Sequence, residues 1–391
     1  MAFRRSRERA SMRRAAAMLV TATLAFALAS ACGSAADSAV GTPSSLDGGS
    51  NGDAASTTAD GGGVPGEDLV PANGLVLVHA AAFPPFRICF EGTPDERPAP
   101  ASDVMPDSNV VGVDVGAAVR LEPPRTATLG RAFVFAEPKI RALYPAFGGN
   151  KGPTCKQLLQ SGADAVSVGN VDADLTRGVN LLVLRGCGPA IDEPSASIAR
   201  CGPTWSPATG NLAVDMVPVK AYARRSPTQL RVQVVQLSRD LEVHAGSRAL
   251  GLAFGALDGG APAPFVEGAA PLGTPVPDPP ALLDYGDTDV AEYATSGLFV
   301  TLGPDLDAGS SDAAAARDVV LAQSLADIQR RSSPRALPPE WFAQASSYVV
   351  LSIGELEPTA GDGGASDPRR ALHLLAVPLA GADAGADAAA P

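Results

Sequence analysis

A chain of 391 residues with 30 basic and 42 acidic side chains carries a formal net charge of −12. That balance repels nucleic acid and anionic headgroups, so neither a nucleic-acid partner nor a membrane contact through a basic patch is expected. The length suffices for two domains with proper cores, and aromatic residues at 5% leave few for a ligand-stacking platform.

Residues 1–31 read as a signal peptide. Arg4, Arg5, Arg7, Arg9, Arg13 and Arg14 precede an apolar run over residues 15–29, too short to span a bilayer comfortably but right for the apolar region of an export signal. Leu28-Ala29-Ser30-Ala31-Cys32 then resembles the lipobox of bacterial lipoproteins, with Ala29 where Leu is favoured. The resemblance implies acylation of the Cys32 thiol and a mature chain that begins there. Six of the 30 basic and one of the 42 acidic residues fall in this leader, so the remainder has 24 and 41, a net charge near −17. The membrane is then reached through acyl chains. Gly33 after the cysteine carries no retention signal of the Asp type, which points to the outer membrane of a Gram-negative host, on its periplasmic or surface face.

Residues 32–68 are mostly Gly, Ser, Ala, Asp and Thr, with no basic residue. Such a segment buries too little apolar surface to offset its ordering entropy and is expected to be a disordered tether, with an r.m.s. reach on the order of 30 Å. Gly61-Gly62-Gly63-Val64-Pro65-Gly66 satisfies G-x-G-x-x-G, but no strand precedes it and no helix follows, so it is not a dinucleotide site.

Short β-type runs recur from there: 75–79, 86–90, 110–121, 132–136, 165–171 and 179–184, punctuated by Gly and Pro. Val111, Val113 and Val115 alternate in the manner of a half-buried strand, and only 156–160 hints at a helical turn. This pattern predicts a first antiparallel β-sandwich module over 69–203. A second series, 212–219, 230–237, 250–254 and 298–302, predicts a β-rich module over 204–380. Within it, residues 259–280 are Pro/Gly/Ala-rich and expected to be loop. One amphipathic helix is expected near 313–331, capped by Ser311 or Asp312, with Val319, Val320, Ala322, Leu325, Ala326 and Ile328 as its stripe. Strands over 348–353 and 371–377 close the module, and 381–391 is a low-complexity tail expected to be disordered. The fold class is thus mainly β, two immunoglobulin-like antiparallel sandwich modules with one helix in the second.

Beyond Cys32, four cysteines remain: Cys89, Cys155, Cys187 and Cys201. An even number in an exported chain reads as two disulfides, with buried free thiols as the alternative. Of the three connectivities, the favoured one pairs Cys187 with Cys201, which closes a short loop between two Cys-Gly-Pro tripeptides, and leaves Cys89 with Cys155. No Cys-x-x-Cys pair exists and only three histidines do, so a zinc site is not expected.

The run Leu75-Val76-Leu77-Val78-His79-Ala80, then Pro84-Pro85 and a second strand, resembles the opening of bacterial surface repeats grouped as domain of unknown function 4397. Residues 230–237 followed by Ser238 are a fainter echo of it. The resemblance implies an immunoglobulin-like sandwich on an exported protein and no known chemistry. More broadly, the chain is similar to lipoproteins of unknown function from GC-rich Gram-negative bacteria.

Motifs that carry chemistry are scarce. His79 and His373 sit in or at the ends of strong strands, where a histidine is structural, and His244 reads as exposed. No G-x-S-x-G elbow, H-E-x-x-H or Walker A pattern occurs. Residues 249–316 hold ten acidic residues and no Lys or Arg. Within them Asp287, Asp289 and Glu292, and Asp305, Asp307 and Asp312, are weak candidate calcium ligands, since Ca²⁺ takes six to eight oxygens; neither run fits the EF-hand loop. Trp205 and Trp341 are expected to pack in a core or hinge. No catalytic residue, metal or cofactor is assigned. The expected function is a lipid-anchored cell-envelope protein with a non-enzymatic binding or structural role, its protein or glycan partner unknown. The alternative is a secreted hydrolase or a calcium-dependent surface module that uses clustered carboxylates.

Overall fold

Runs such as Leu75-Val76-Leu77-Val78 are apolar at every position, which suits a strand covered on both faces. In the computed structural model that is where they lie. It describes residues 74–90, 104–105, 112–121, 130–145, 153–162, 164–171, 178–194, 196–223, 226, 228–267, 272–286, 288–303, 317–332, 341–356 and 368–381. The regions expected to be signal peptide and tether, with Cys32, fall outside these residues, and so does the expected tail apart from Gly381, which ends a strand.

The protein is mainly β. The first half supplies β1 (Gly74–His79), β2 (Phe86–Phe90), β3 (Val104–Met105), β4 (Ala118–Leu121), β5 (Gly130–Ala136), β6 (Val166–Val171), β7 (Val179–Arg185) and β8 (Ala213–Val219). They form two four-stranded sheets of order β4-β1-β7-β8 and β3-β2-β5-β6. The second half supplies β9 (Gln229–Gln236), β10 (Leu250–Ala256), β11 (Ala263–Val266), β12 (Pro275–Asp284), β13 (Ser296–Leu302), β14 (Asp318–Ser324), β15 (Ala345–Ile353) and β16 (His373–Gly381). Their sheets run β12-β9-β15-β16 and β11-β10-β13-β14.

The second half therefore repeats the first, strand for strand. Each half has one parallel strand pair at its centre, so the expectation of antiparallel sheets is corrected to mixed ones, and the register of that pair is the same in both halves. In β1 and β7 it runs from Gly74↔Val179 to His79↔Leu184; in β9 and β15 it runs from Arg231↔Ser347 to Gln236↔Ser352. Matching these registers places Leu75 and Leu77 opposite Val232 and Val234. The first pair lies in the core shared by the first half's two sheets and the second pair in that of the second half's sheets. The alternate positions Val78 and Val235 face a third core, which Leu181, Val217, Val349, Leu351 and Leu375 complete. This core joins the halves, so they do not part into separate units.

Three further expectations need correction. The helix expected near 313–331 is a strand in its described first part: β14 pairs with β13 from Gly297↔Ser324 to Leu302↔Asp318. Val319, Val320 and Leu321 suit an edge strand on a sheet already formed, and that tertiary pairing overrides helical periodicity. The helix begins only at α5 (Leu325–Ser332), where Ser324 Oγ accepts from the Asp327 amide at 3.0 Å. Leu325 and Ile328 keep their expected buried positions there.

The loop expected over 259–280 holds β11 and most of β12. Its prolines are tolerated because β12 is an edge strand, and its pairing with β9 skips from Val276 to Ala281. The module boundary expected at 203–204 precedes β8, which pairs with β7 from Val179↔Val219 to Arg185↔Ala213. The first half's sheet thus extends to Val219.

The remaining described helices are short: α1 (Glu137–Leu143), α2 (Cys155–Gln160), α3 (Ile198–Cys201), α4 (Arg239–Ala245) and α6 (Trp341–Gln344). The α2 start is written in sequence: Thr154 and Gln157 form a reciprocal capping box.

Candidate functional site

The seam between the halves gathers His79, Glu193 and His373, three of the six buried His, Arg and Glu side chains among the described residues. His79 closes β1 and is fully buried, edge-on against Phe86 with ring centroids 5.0 Å apart. Its Nε2 donates to the Pro84 carbonyl at 3.1 Å, which leaves Nδ1 as the lone-pair nitrogen, buried with no hydrogen-bond partner. Burial pushes its pKa down to about 4, only partly offset by the Pro84 carbonyl and by Asp114. This imidazole is neutral at ordinary pH and its side chain is buried.

The turn over residues 114–117 lies against it. The Gly116 amide donates to the His79 carbonyl at 3.0 Å, and the His79 amide to the Ala117 carbonyl at 2.9 Å. From the other half, His373 at the start of β16 meets the same glycine. Its Nε2 lies 2.8 Å from the Gly116 carbonyl and its Nδ1 2.6 Å from the Ala371 carbonyl. Burial holds His373 below the usual imidazole range, while the two carbonyls pull the other way. Arg369 grips the turn from outside, with Nη1 3.2 Å from both oxygens of Asp114.

Gly116 is required here on two counts. Its φ is +69°, and an added Cβ would lie 2.5 Å from His373 Cε1 and 2.7 Å from the Arg369 carbonyl. Gly116→Ala should therefore cost at least about 1–2 kcal/mol from the left-handed backbone alone, with the clash added. Urea unfolding of the full chain measures it, and wild-type stability in the variant would show that the seam does not close as described.

An ion-pair chain continues along the seam. Arg370 of the second half pairs with the nearly buried Glu193 of the first. Glu193 also lies 3.8 Å from Arg200, whose guanidinium reaches Glu355 of the second half. The pairs thus cross the seam in both directions. Beside them opens a cleft of about 570 Å³ lined by His79, Arg185, Arg200, Arg239, Glu355 and Arg370 among others. Arg185 is held by Asp215, and Arg239 reaches over Gly202, where an added Cβ would fall 2.7 Å from its Nη1. Four arginines in one cleft look like an anion site, but Asp215, Glu193 and Glu355 answer three of them. The arrangement is chiefly an electrostatic clasp between halves.

Cys187 and Cys201 line this cleft, while Cys89 and Cys155 lie in a separate apolar cluster with Phe133, Phe135, Ile140 and Leu158. Cys187 meets Cys201 with a Cα–Cα distance of 5.7 Å, and Cys89 meets Cys155 at 5.6 Å. These are the pairs that spacing favoured. The first staples the loop that carries Glu193 and Arg200, and Trp205 packs on it while donating Nε1–H to the Gly188 carbonyl at 2.9 Å. Trp341 is buried with Tyr293, Phe342 and Tyr348 in the second half's core. His244 is exposed on α4.

The carboxylates proposed for calcium do not assemble where they are described. Asp289 Oδ1 accepts from the Ala291 amide at 2.8 Å and so caps the 3₁₀ turn Val290–Ala294, on whose exposed surface Glu292 lies. Asp287, Asp305, Asp307 and Asp312 lie outside the described residues. Among the described residues no group of three or more His, Cys, Asp or Glu is placed to hold a metal, and no helix is long and apolar enough to cross a membrane. Sequence reading missed the seam residues Asp114, Gly116, Glu193, Arg200, Glu355 and Arg370. The one local signal was the glycine pair Gly112 and Gly116 around an Asp, which marks a tight turn but not its partner. Comparison with family models, curated proteins and solved structures finds no match to the chain.

Proposed function

We propose that this protein is a lipid-anchored cell-envelope component whose body acts as a stiff, non-enzymatic binding or structural element. The observation that carries the reading is the third apolar core, which fuses the two halves, together with the ion pairs that cross the same seam. A body built this way holds its outer surfaces at a constant spacing, which serves display or scaffolding better than domain closure over a substrate. Each half is read as an immunoglobulin-like sandwich, since two four-stranded sheets share one core. Kinship with the domain of unknown function 4397 family belongs to this reading too, because the two runs that suggested it become β1 and β9, equivalent strands of the two halves.

The anchor is Cys32, and the outer membrane is its proposed site. Acyl chains contribute about 0.8 kcal/mol per buried CH₂, so two or more hold firmly. Cys32→Ser should move the protein from the membrane to the soluble fraction. A variant that stays membrane-bound through a carbonate wash would overturn the anchoring. Turnover of ester or glycoside substrates by the released protein, with or without Ca²⁺, would overturn the non-enzymatic role in favour of the hydrolase reading.

A further inference from the structure

We infer that the cleft at the seam is a binding site for a small monocarboxylate with an apolar body, anchored by Arg239. The inference deepens the non-enzymatic binding reading of the body and rests on it, but it does not depend on the lipid anchor.

The cleft lies where the two repeats converge. β1, β7 and β15 end on it at His79, Arg185 and Ile353, and β9 ends just before Leu237, which also lines it. The backbone on its two sides matches. The Gly116 amide donates to the His79 carbonyl at 3.0 Å, and at the equivalent place the Gly273 amide donates to the Gln236 carbonyl at 2.8 Å. The side chains do not match. In the shared register Arg185 stands where the second half has Ile353, and Cys187 where it has Glu355. The scaffold of the cleft is therefore common to both halves, while its charges are particular to each side and are not demanded by the repeat.

Three of the four arginines are answered by carboxylates: Arg185 by Asp215, Arg200 by Glu355 and Arg370 by Glu193. Arg239 is not. Among the described residues it has neither an ion pair nor a hydrogen bond, yet it is placed with care. Its guanidinium lies over Gly202, where an added Cβ would fall 2.7 Å from Nη1 and 3.2 Å from Nη2, so no larger residue fits beneath it. It is also the first residue of α4, a position where a helix favours an anion over a cation. Local structure thus does not account for an arginine here. A guanidinium with its planar fork of donors unused, lining a cleft, is matched by a carboxylate.

Charge and shape narrow the ligand further. The four arginines share the lining with Asp215, Asp240 and Glu355, and Glu193 stands behind Arg200 and Arg370, so the formal charges balance before a ligand enters. One carboxylate is met by the Arg239 fork. A second negative charge would meet the three lining acids instead, which disfavours a dianion such as phosphate. Between the charges the walls are apolar, with Ala81, Val183, Val217, Leu237 and Leu272. A volume of about 570 Å³ is that of a small-molecule site, and such walls reward an apolar body rather than a bare ion.

Ligand-observed NMR on the full chain, with hexanoate and benzoate as probes, should give dissociation constants on the order of 1 mM. Hexanol has a body of the same length without the charge, and phosphate has charge without the body; each should bind at least about tenfold more weakly. Arg239→Gln should weaken hexanoate binding about tenfold or more. Arg239→Lys, which keeps the charge but not the fork, should weaken it less. Because Arg239 is exposed, Arg239→Gln should unfold at the wild-type urea midpoint, which separates a lost ligand contact from lost structure. No binding of either carboxylate at about 20 mM, phosphate or hexanol binding as tightly as hexanoate, or undiminished affinity in Arg239→Gln would overturn the site. The comparison of hexanoate, hexanol and phosphate on the wild type decides the matter even if the variant fails to fold. Failure to bind overturns the ligand alone, whereas hydrolysis of ester or glycoside substrates overturns the non-enzymatic reading on which it rests.

Discussion

Replacing both Cys89 and Cys155 by alanine should lower unfolding stability by about 4 kcal/mol. The bridge joins positions 66 residues apart, and closing a loop of that length removes roughly this much denatured-state freedom in the chain-entropy view. The location makes compensation difficult. Cys89 is fully buried in β2 and Cys155 nearly so at the start of α2, both packed against Phe133, Phe135, Ile140 and Leu158. Without the bridge, α2 is held only by this small cluster, because its six residues cannot be stable alone. Denaturant unfolding of the oxidised wild type and of the double variant measures the difference. A loss under about 1 kcal/mol would mean that the bridge does not constrain the unfolded chain as supposed.

Glu137→Ala should cost a comparable 3–5 kcal/mol. Glu137 opens α1 and is 3% exposed, and its carboxylate faces the guanidinium of Arg87, which is wholly buried on β2. A second bond, from Arg141 Nε at 2.7 Å, ties the same carboxylate to the next turn of the helix. Truncation removes the counter-charge of a guanidinium that has no route to water. The charge itself is not what stabilises, since desolvating two ions roughly cancels their attraction. Replacing both partners together, Arg87→Met with Glu137→Leu, should therefore recover most of the loss. If the double variant is no more stable than Glu137→Ala, the pair is worth more than its desolvation and this account of it fails.

Much of the β framework was legible along the chain. The runs that became β1, β2, β5, β7, β9, β10 and β13 could be read because a buried strand is marked by its own residues, apolar at each position or at every second one. The cysteine pairs were legible for a similar reason. Repeated Cys-Gly-Pro tripeptides flag a short closed loop, and two cysteines are then left for each other. His79 and His373 were readable as strand histidines, but their meeting across Gly116 was not. Val319 to Ile328 shows where periodicity misleads. Its spacing fits a helix throughout, yet only the part after Ser324 is one, because the free edge of β13 offered hydrogen bonds to the preceding residues.

By itself the sequence determined the β-rich class, most strand positions and the net negative charge, and it favoured the cysteine pairs that the fold brings together. These are written in composition and in patterns a few residues long. Only the tertiary structure decided that the second half repeats the first strand for strand, that β8 belongs to the first half, and that one apolar core joins the two. It alone also decided the seam. Arg200 and Glu355 are 155 residues apart, Arg370 and Glu193 177, and His373 and Gly116 257. Local pattern reports whether a side chain will be buried. It does not report beside what, since that depends on which sheets share a core, and strands of nearly identical apolar character are interchangeable until the whole chain is packed.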